Sequence, residues 1–594
     1  MIADGGIAHV IMEVFDLEIY YHKSEAVVFS LAYTKHHRPY IIILDTQDPS
    51  IIIRTLLASL RSNCTYYVHN LLFDFSFCLL GLLQLNIKFT WIFLNYRLLE
   101  VSIYYENKKY VFKCSYALIP LALKTFYPHL SALPKLTFPY QLLNQFSTLR
   151  LQSNLSEIPI MYRTMSLETY YMFYAKRDVQ VHITGLLSFF QCLKQLDIPY
   201  HARIRTIGKL SLNFYCKYWN QIPLHLEKAV QQEMQHAYFG GRCEIFGNAL
   251  PSEQILYFDF PGMYQQVLMT NIPHGEYFFK IKPSTIDQPG FYYITVQYTS
   301  CMPILPIKLD KLYFPTGTIT GWYWFEEIEL LLQTAIIQTF IIHKAIFATE
   351  YSPILAPFID KLNTFRIEGG VKKQIGKLLI NSFYGKLATS KDLVITNLAP
   401  IDSQLSKSYA TLQDVHLIQT RVTRSTPSNI LVGAAVTAKA RVRLYRGFLD
   451  VIANGGRLLY CDTDSIFAAF PQYIDLKQIN FKVIAPDFAN EWTTPAQAVF
   501  IIPKTYAITT LNGTSIIKFK GVGAHDLTFA EMQQLLHYET YQIQTFLNKK
   551  NLLPYLKPVV HNYNLIYNKR TWNACKTHTT PKTLNELNRM QLDR

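Results

Sequence analysis

Hydrophobic and polar positions in this chain fall into a few legible runs. Val10 to Tyr20 reads as a strand, and Asp16 and Glu18, two apart on it, project from one face. A second strand-like run leads into Tyr67-Val68-His69-Asn70-Leu71-Leu72-Phe73-Asp74, and Tyr174 and Asp178 stand one helical turn apart. Ile255 to Tyr264 is an apolar strand that ends in Asp259 and passes into a turn carrying an aromatic ring. Glu368 to Ala388 reads as a helix with Lys373 and Lys377 on one face. From Leu459 to Ala468 an apolar run enters, Asp462-Thr463-Asp464 turns, and an apolar run leaves, the pattern of a tight hairpin with carboxylates at its tip. Beyond Asp526 the pattern predicts helical segments, then Lys569, Arg570 and a polar, mobile tail.

Composition sets the scale of the molecule. At 594 residues the chain is too long for one core, and 50% hydrophobic residues without a low-complexity tract exclude extensive disorder. The most apolar stretches, Cys78 to Tyr96 and Leu330 to Ile342, are broken by Lys88 or stop short of a bilayer's thickness, so they read as core and no membrane span is expected. A net charge of +15 suits a polyanionic partner. The nine cysteines form no CxxC pair or close Cys/His cluster, which indicates neither a zinc site nor a disulfide framework.

Candidate chemistry follows from the acids. Neighbouring carboxylates repel unless a cation or proton compensates them, so the Asp462/Asp464 tip is a candidate magnesium site; from these residues alone an ordinary surface turn reads the same way. Asp259 at a strand end becomes its third carboxylate. Asp16, Glu18, Asp74 and Asp178 suit two metal ions that activate a water and stabilise the leaving oxygen of a phosphodiester, with Tyr174 positioning the water. Lys373 and Lys377 suit a triphosphate, Tyr384 offers a ring to a base or sugar, and Arg366, about two turns earlier, is a further phosphate candidate. Tyr238-Phe239-Gly240-Gly241-Arg242 makes a turn whose backbone can approach a phosphate, with Tyr238 and Arg242 flanking it.

Taken together, DxE, Nx2FD and YxxxD in this order resemble the proofreading 3′–5′ exonuclease domain of family B DNA-dependent DNA polymerases. By that resemblance Asn70 and Phe73 grip an unpaired primer end, with Tyr67 and His69 beside them. Ile19 stands where the family often has Thr, and Tyr116 replaces the Leu of a family contact over Ser115 to Ile119. Asp259 to Tyr264, Lys377 to Gly385 and Tyr460 to Ser465 resemble polymerase motifs A, B and C, with Gly262, Met263 and Gln265 departing from the usual motif A. The Tyr238 to Arg242 turn resembles the YxGG motif on the template strand, and Lys504 and Tyr506, followed by Lys520, resemble the KxY contact to the primer. The short form, this turn and the long interval from Asp259 to Lys377 resemble the protein-primed subgroup of bacteriophages and of linear and mitochondrial plasmids.

The resemblance implies a multidomain α/β and α+β fold, with a ribonuclease H-like exonuclease domain followed by a right-hand polymerase of palm, fingers and thumb with insertions. Expected boundaries are exonuclease 1–195, palm 196–275 and 431–525, insertions like terminal-protein regions 1 and 2 at 276–355 and 389–430, fingers 356–388, and thumb and tail 526–594. Expected activity is template-directed deoxynucleotide addition at Asp259, Asp462 and Asp464, with editing at the separate acids; the cofactor is Mg2+, two per site, with Mn2+ as an alternative. Lys373, Lys377, Asn381 and Arg366 would face the nucleotide, and Tyr264 would pack under its sugar and exclude a 2′-hydroxyl. Expected partners are DNA template and primer, deoxynucleoside triphosphates, and a terminal protein on another chain, because only 15 residues precede the first editing acid. The expected location is the mitochondrion, with a phage or a cytoplasmic linear plasmid host as the alternative. A dedicated exonuclease or a decayed DNA-binding protein are the competing readings, and the presence of all seven acids argues against both.

Overall fold

The computed structural model of the chain describes residues 12–22, 25–139, 160–222, 226–389, 392–400, 408–412, 415–423, 428–474, 495–520, 527–545 and 559–592. The largest sheet has ten strands, in the order Ser408–Leu412, Val415–Thr423, Asp392–Pro400, Lys88–Leu94, Arg97–Tyr105, Lys108–Cys114, Thr65–Val68, Met12–His22, Glu25–Lys35, Arg38–Thr46. Met12–His22 runs parallel to Thr65–Val68 and antiparallel to Glu25–Lys35, with a bulge between Glu18 and Ile19 that shifts the register just past the two acids. The long helix Leu167–Gln195 packs across the first three strands. It starts where Ser166 accepts from Thr169 N at 3.1 Å, and it buries Leu167, Tyr170, Tyr174 and Asp178 on the sheet-facing side. The three strands from the expected second insertion extend this sheet at the edge of Lys88–Leu94, through Ile395 opposite Leu94.

The second centre is an antiparallel four-stranded sheet, Cys243–Ile245, Arg457–Asp462, Ser465–Pro471, Glu253–Asp259, backed by the helix Ile430–Ala453. Ile272–Ile281, Ile336–Ser352, Gly290–Thr299 and Gly317–Trp324 form a further sheet, inserted in the chain between Glu253–Asp259 and Arg457–Asp462. Helices Ala356–Ile367 and Gly370–Leu387 follow; the second starts at Gly370 and not at Glu368, because Gly369 and Gly370 adopt φ of +78° and +53° and break the helical run.

Beyond 526 the expected helical segments are present as Phe529–Leu535 and Leu584–Leu592, while the expectation of a mobile tail is corrected. The first helix, Phe529–Leu535, is capped by Thr528 and Glu531, and a hairpin of Thr540–Thr545 and Val559–Asn564 follows. The chain then returns to the palm-like sheet: Lys569 Nζ donates to the Cys243 carbonyl at 2.9 Å, and the buried Arg570 donates to Thr579 Oγ1 at 2.8 Å. Lys569, Arg570 and Thr579 are buried and paired, while Leu584–Leu592 is mostly exposed and is tied down where Leu584 N donates to the Thr316 carbonyl at 2.9 Å. Among the described residues no helix is long and apolar enough to cross a membrane.

Candidate functional site

Asp16 and Glu18 leave one face of Met12–His22 and Asp178 comes from the long helix; one ligand oxygen of each lies within 4.8 Å of the others. Asp74, in the first turn of Leu71–Gln84, is buried beside Asp16, and its Oδ1 accepts from Leu17 N at 2.9 Å. Burial, then the charge of Asp178, pushes the Asp16 carboxyl up to about 7 against the pull of Lys135. Burial and then Asp16 raise Asp74 as well, and burial raises Asp178 although Lys135 and the Tyr174 hydroxyl oppose it. Asp178 Oδ1 is buried without a hydrogen-bond partner among the described residues. Crowded acids with an orphaned oxygen fit a divalent cation. Lys135, absent from the sequence reading, pairs with Asp178 and sits 5.4 Å over the Tyr174 ring. It stands in an irregular segment where a lone lysine gives no signal.

In the palm-like sheet, Asp259 and Asp462 both pair in register with Ser465, which brings the strand end against the hairpin tip. Phe260 N donates to the Asp464 carbonyl at 2.8 Å, and Asp464 N to the Asp462 carbonyl at 2.7 Å. Burial, followed by the charges of Asp259 and Asp462, pushes the Asp464 carboxyl up to about 6. Lys504 Nζ donates to both oxygens of Asp462, at 2.8 and 2.9 Å, so this lysine faces a palm acid. Tyr264 and Tyr384 stack at 4.2 Å with their planes 6° apart. Lys373, Lys377 and Asn381 are exposed on Gly370–Leu387. Arg366 is instead engaged with Gln265, whose Nε2 donates to Asn363 at 2.8 Å; the Gln in place of the family Pro thus joins motif A to the fingers-like helices.

Two expected DNA contacts are corrected. Arg242 is buried, donates to Glu244 at 2.6 and 2.8 Å and to the Pro303 carbonyl at 2.7 Å, and lies 4.1 Å over Phe314, out of reach of a template phosphate. Tyr67 is buried because all four residues of Thr65–Val68 are enclosed, and its hydroxyl meets that of Tyr200 at 3.0 Å. The others are more accessible: Asn70, Gly240 and Lys520 are exposed, while His69, Phe73, Tyr238, Gly241 and Tyr506 are half-buried. A Cβ on Gly241 would lie 2.7 Å from Thr463 Cγ2, so this glycine lets the turn pack on the acid hairpin. Arg441, also absent from the sequence reading, holds that turn by donating to the carbonyls of Phe239 and Gly240 at 2.7 and 3.1 Å.

One acid cluster in a mixed sheet, followed by a second on a palm-like antiparallel sheet beside a helical pair, defines the class of a polymerase right hand joined to an exonuclease domain. A family model described as DNA polymerase type B, organellar and viral, matches residues 58–424, and the chain belongs to that family. Among its relatives, a probable DNA polymerase of Podospora anserina is 25% identical over 410 residues, covering 60% of this chain and 33% of that protein. The DNA polymerase of Bacillus phage phi29 is 24% identical over 364 residues, covering 56% of this chain and 58% of that protein. The matches therefore span about a third and under two thirds of these relatives' lengths. The solved phi29 DNA polymerase is similar at a TM-score of 0.67 and 18% identity over 93% of this chain and 100% of its own. The phi29 complex with primer-template DNA and incoming nucleotide gives 0.65 and 16%, over 93% and 99%. This likeness shows the multidomain exonuclease, palm, fingers and thumb fold.

Proposed function

We propose that the chain is a DNA-directed DNA polymerase that extends a primer on a template and edits it with a 3′–5′ exonuclease. The observation that carries this reading is the register of Glu253–Asp259 against Ser465–Pro471, which sets Asp259 across from the Asp462/Asp464 tip in a chain of this family. Asp259, Asp462 and Asp464 would hold Mg2+ or Mn2+ for synthesis, and Asp16, Glu18, Asp74 and Asp178 for editing. Bound there, the metal would lower the pKa of an attacking hydroxyl or water and neutralise charge on the leaving group. Lys373, Lys377 and Asn381 present donors to a triphosphate, and the Tyr264/Tyr384 stack offers a platform under the sugar. The phi29 complex with primer-template DNA and nucleotide supports DNA and deoxynucleotides as the partners of this chain.

Priming by a hydroxyl of a terminal protein on another chain, in a mitochondrial, plasmid or phage replicon, is the finer form of the proposal. It is supported by the phage and fungal relatives and by the inserted sheet between Ile272 and Ser352. Primer extension with and without deoxynucleotides tests the main reading. Extension by the wild type, lost in Asp464→Asn with gel-shift affinity retained, is expected; degradation alone would favour a dedicated exonuclease, and binding without turnover a DNA-binding protein. Incubation with labelled deoxynucleotide and a linear template tests the priming: label on the polymerase itself with no partner added would refute it.

A further inference from the structure

The cleft beside the editing acids has a wall whose supports the reaction leaves unused. A cavity of about 520 Å³ is lined by His69, Asn70, Tyr116, Leu123, Lys124 and Lys135, and Lys135 joins it to Asp178. Behind His69 runs a buried chain of polar groups. His182, one helical turn beyond Asp178 on Leu167–Gln195, places Nε2 2.7 Å from Ser115 Oγ. Ser115 Oγ lies 3.1 Å from His69 Nδ1, and His69 Nε2 lies 3.0 Å from the Leu121 carbonyl oxygen.

The last contact assigns the protons. A carbonyl only accepts, so His69 Nε2 carries a hydrogen and, in a neutral ring, Nδ1 accepts. Ser115 has one hydroxyl proton for it, the Val68 carbonyl at 3.3 Å being the more distant acceptor, and His182 Nε2 is left as the donor to Ser115 Oγ. Burial keeps both rings neutral: it pushes His69 down to about 4 and lowers His182 as well. Packing fixes the planes, since the His69 ring meets Tyr116, Phe126 and His182 edge to face at 5.4, 5.7 and 5.5 Å. Gly185, on the same helix, leaves the space that Phe126 fills.

We propose that His182 is a positioning residue for the editing pocket: through Ser115 it fixes His69 with both ring nitrogens engaged, so that this wall holds a terminal nucleotide by ring contact without reading its base edge. Such a wall accepts any of four bases, as ring stacking is sequence-tolerant. The inference rests on the exonuclease reading above. It is tested on the full chain by the release of nucleotides from single-stranded oligonucleotides that end in each base.

His182→Leu should raise KM roughly fivefold, the effect of one lost buried hydrogen bond, and leave kcat within about twofold. It should also make the KM values of the four ends diverge. His182→Gln, whose amide can still donate to Ser115, should return KM towards wild type, and both variants should extend primers at the wild-type rate. An unchanged KM in His182→Leu, or no rescue by His182→Gln, would overturn the inference. Should His182→Leu lose extension too, Ser115→Ala, which removes the relay with a smaller change in volume, decides by the same KM criterion. A wild type that releases no nucleotide would overturn the exonuclease reading and this inference together, whereas release that Asp16→Ala abolishes but His182→Leu leaves alone would overturn only the inference.

Discussion

Arg242 and Lys504 are cations close to the palm acids in space, and the fold uses them in opposite ways. Lys504 is accessible and pairs with Asp462, while Arg242 is enclosed with Glu244, whose Oε1 already lacks a partner among the described residues. Arg242→Ala would leave a buried carboxylate uncompensated, at a cost of about 3–5 kcal/mol. The expected result is a lower urea midpoint with unchanged gel-shift affinity for primed DNA; lost affinity at full stability would return Arg242 to the DNA surface. A pH prediction follows from Asp16, raised to about 7, and Asp464, raised to about 6. Folded values above the ordinary carboxylate range mean that the folded state binds protons the unfolded state does not, so stability falls as pH rises through these values. In chelator the thermal midpoint should rise from pH 8 to pH 6, and saturating Mg2+ should raise it at pH 8 and flatten the profile. A chelated midpoint that falls on this acidification would contradict the shifts. The motif acids were legible because their chemistry dictates their spacing. Lys135 and Arg441 were not, because their partners lie 43 and about 200 positions away, a distance that no local pattern spans.

At the scale of elements, strong periods were readable and their ends were not. The hairpin expected over Leu459 to Ala468 is present as Arg457–Asp462 and Ser465–Pro471, since two continuous apolar runs joined by a two-residue turn leave little choice. Beyond 526 the helices were readable, but the return of the chain to the palm-like sheet was not, because its strands Arg570–Trp572 and Thr579–Pro581 are only three residues long. How the Tyr238 to Arg242 turn meets the hairpin was hidden for a related reason: Thr463 N donates to the Arg242 carbonyl at 2.7 Å, so the two turns support each other across the chain. Gly241→Ala would force Thr463, already at φ +64°, away from this contact. Overpacking of this kind costs about 1–3 kcal/mol, so extension should drop roughly tenfold or more if the strain falls on the acid tip. Nucleotide release by the editing site should be unaffected. Equal losses of both activities would mean a general folding defect, and no loss would mean that the tip adapts freely.

Across the whole molecule, the ten-stranded sheet ties residues near 400 to the strand at Lys88–Leu94. The sequence showed only an apolar stretch over Cys78 to Tyr96 and an insertion over 389–430, since pairing partners about 300 positions apart are fixed only by the path of the intervening chain. Three hydrogen bonds make the joint specific. Trp91 Nε1 donates to the Thr396 carbonyl at 2.9 Å, Val394 N donates to Asn95 Oδ1 at 2.9 Å, and Asn95 N donates to the Val394 carbonyl at 2.9 Å. The inserted strands thereby cover an edge that would otherwise offer unpaired backbone groups to another chain. Trp91→Phe with Asn95→Ala removes the two side-chain bonds and keeps the backbone pair, so the joint should weaken by about 1 kcal/mol for each bond lost. Local opening should then rise roughly tenfold or more, and trypsin should cleave within 392–423, which contains Arg421, correspondingly faster. The seven strands of residues 12–114 pair among themselves without this joint, so nucleotide release should persist at the wild-type rate in the double variant. Cleavage at the wild-type rate would show that the shared sheet edge is held by contacts other than these two, and loss of nucleotide release along with protease resistance would show that the first sheet depends on the insertion for its own fold.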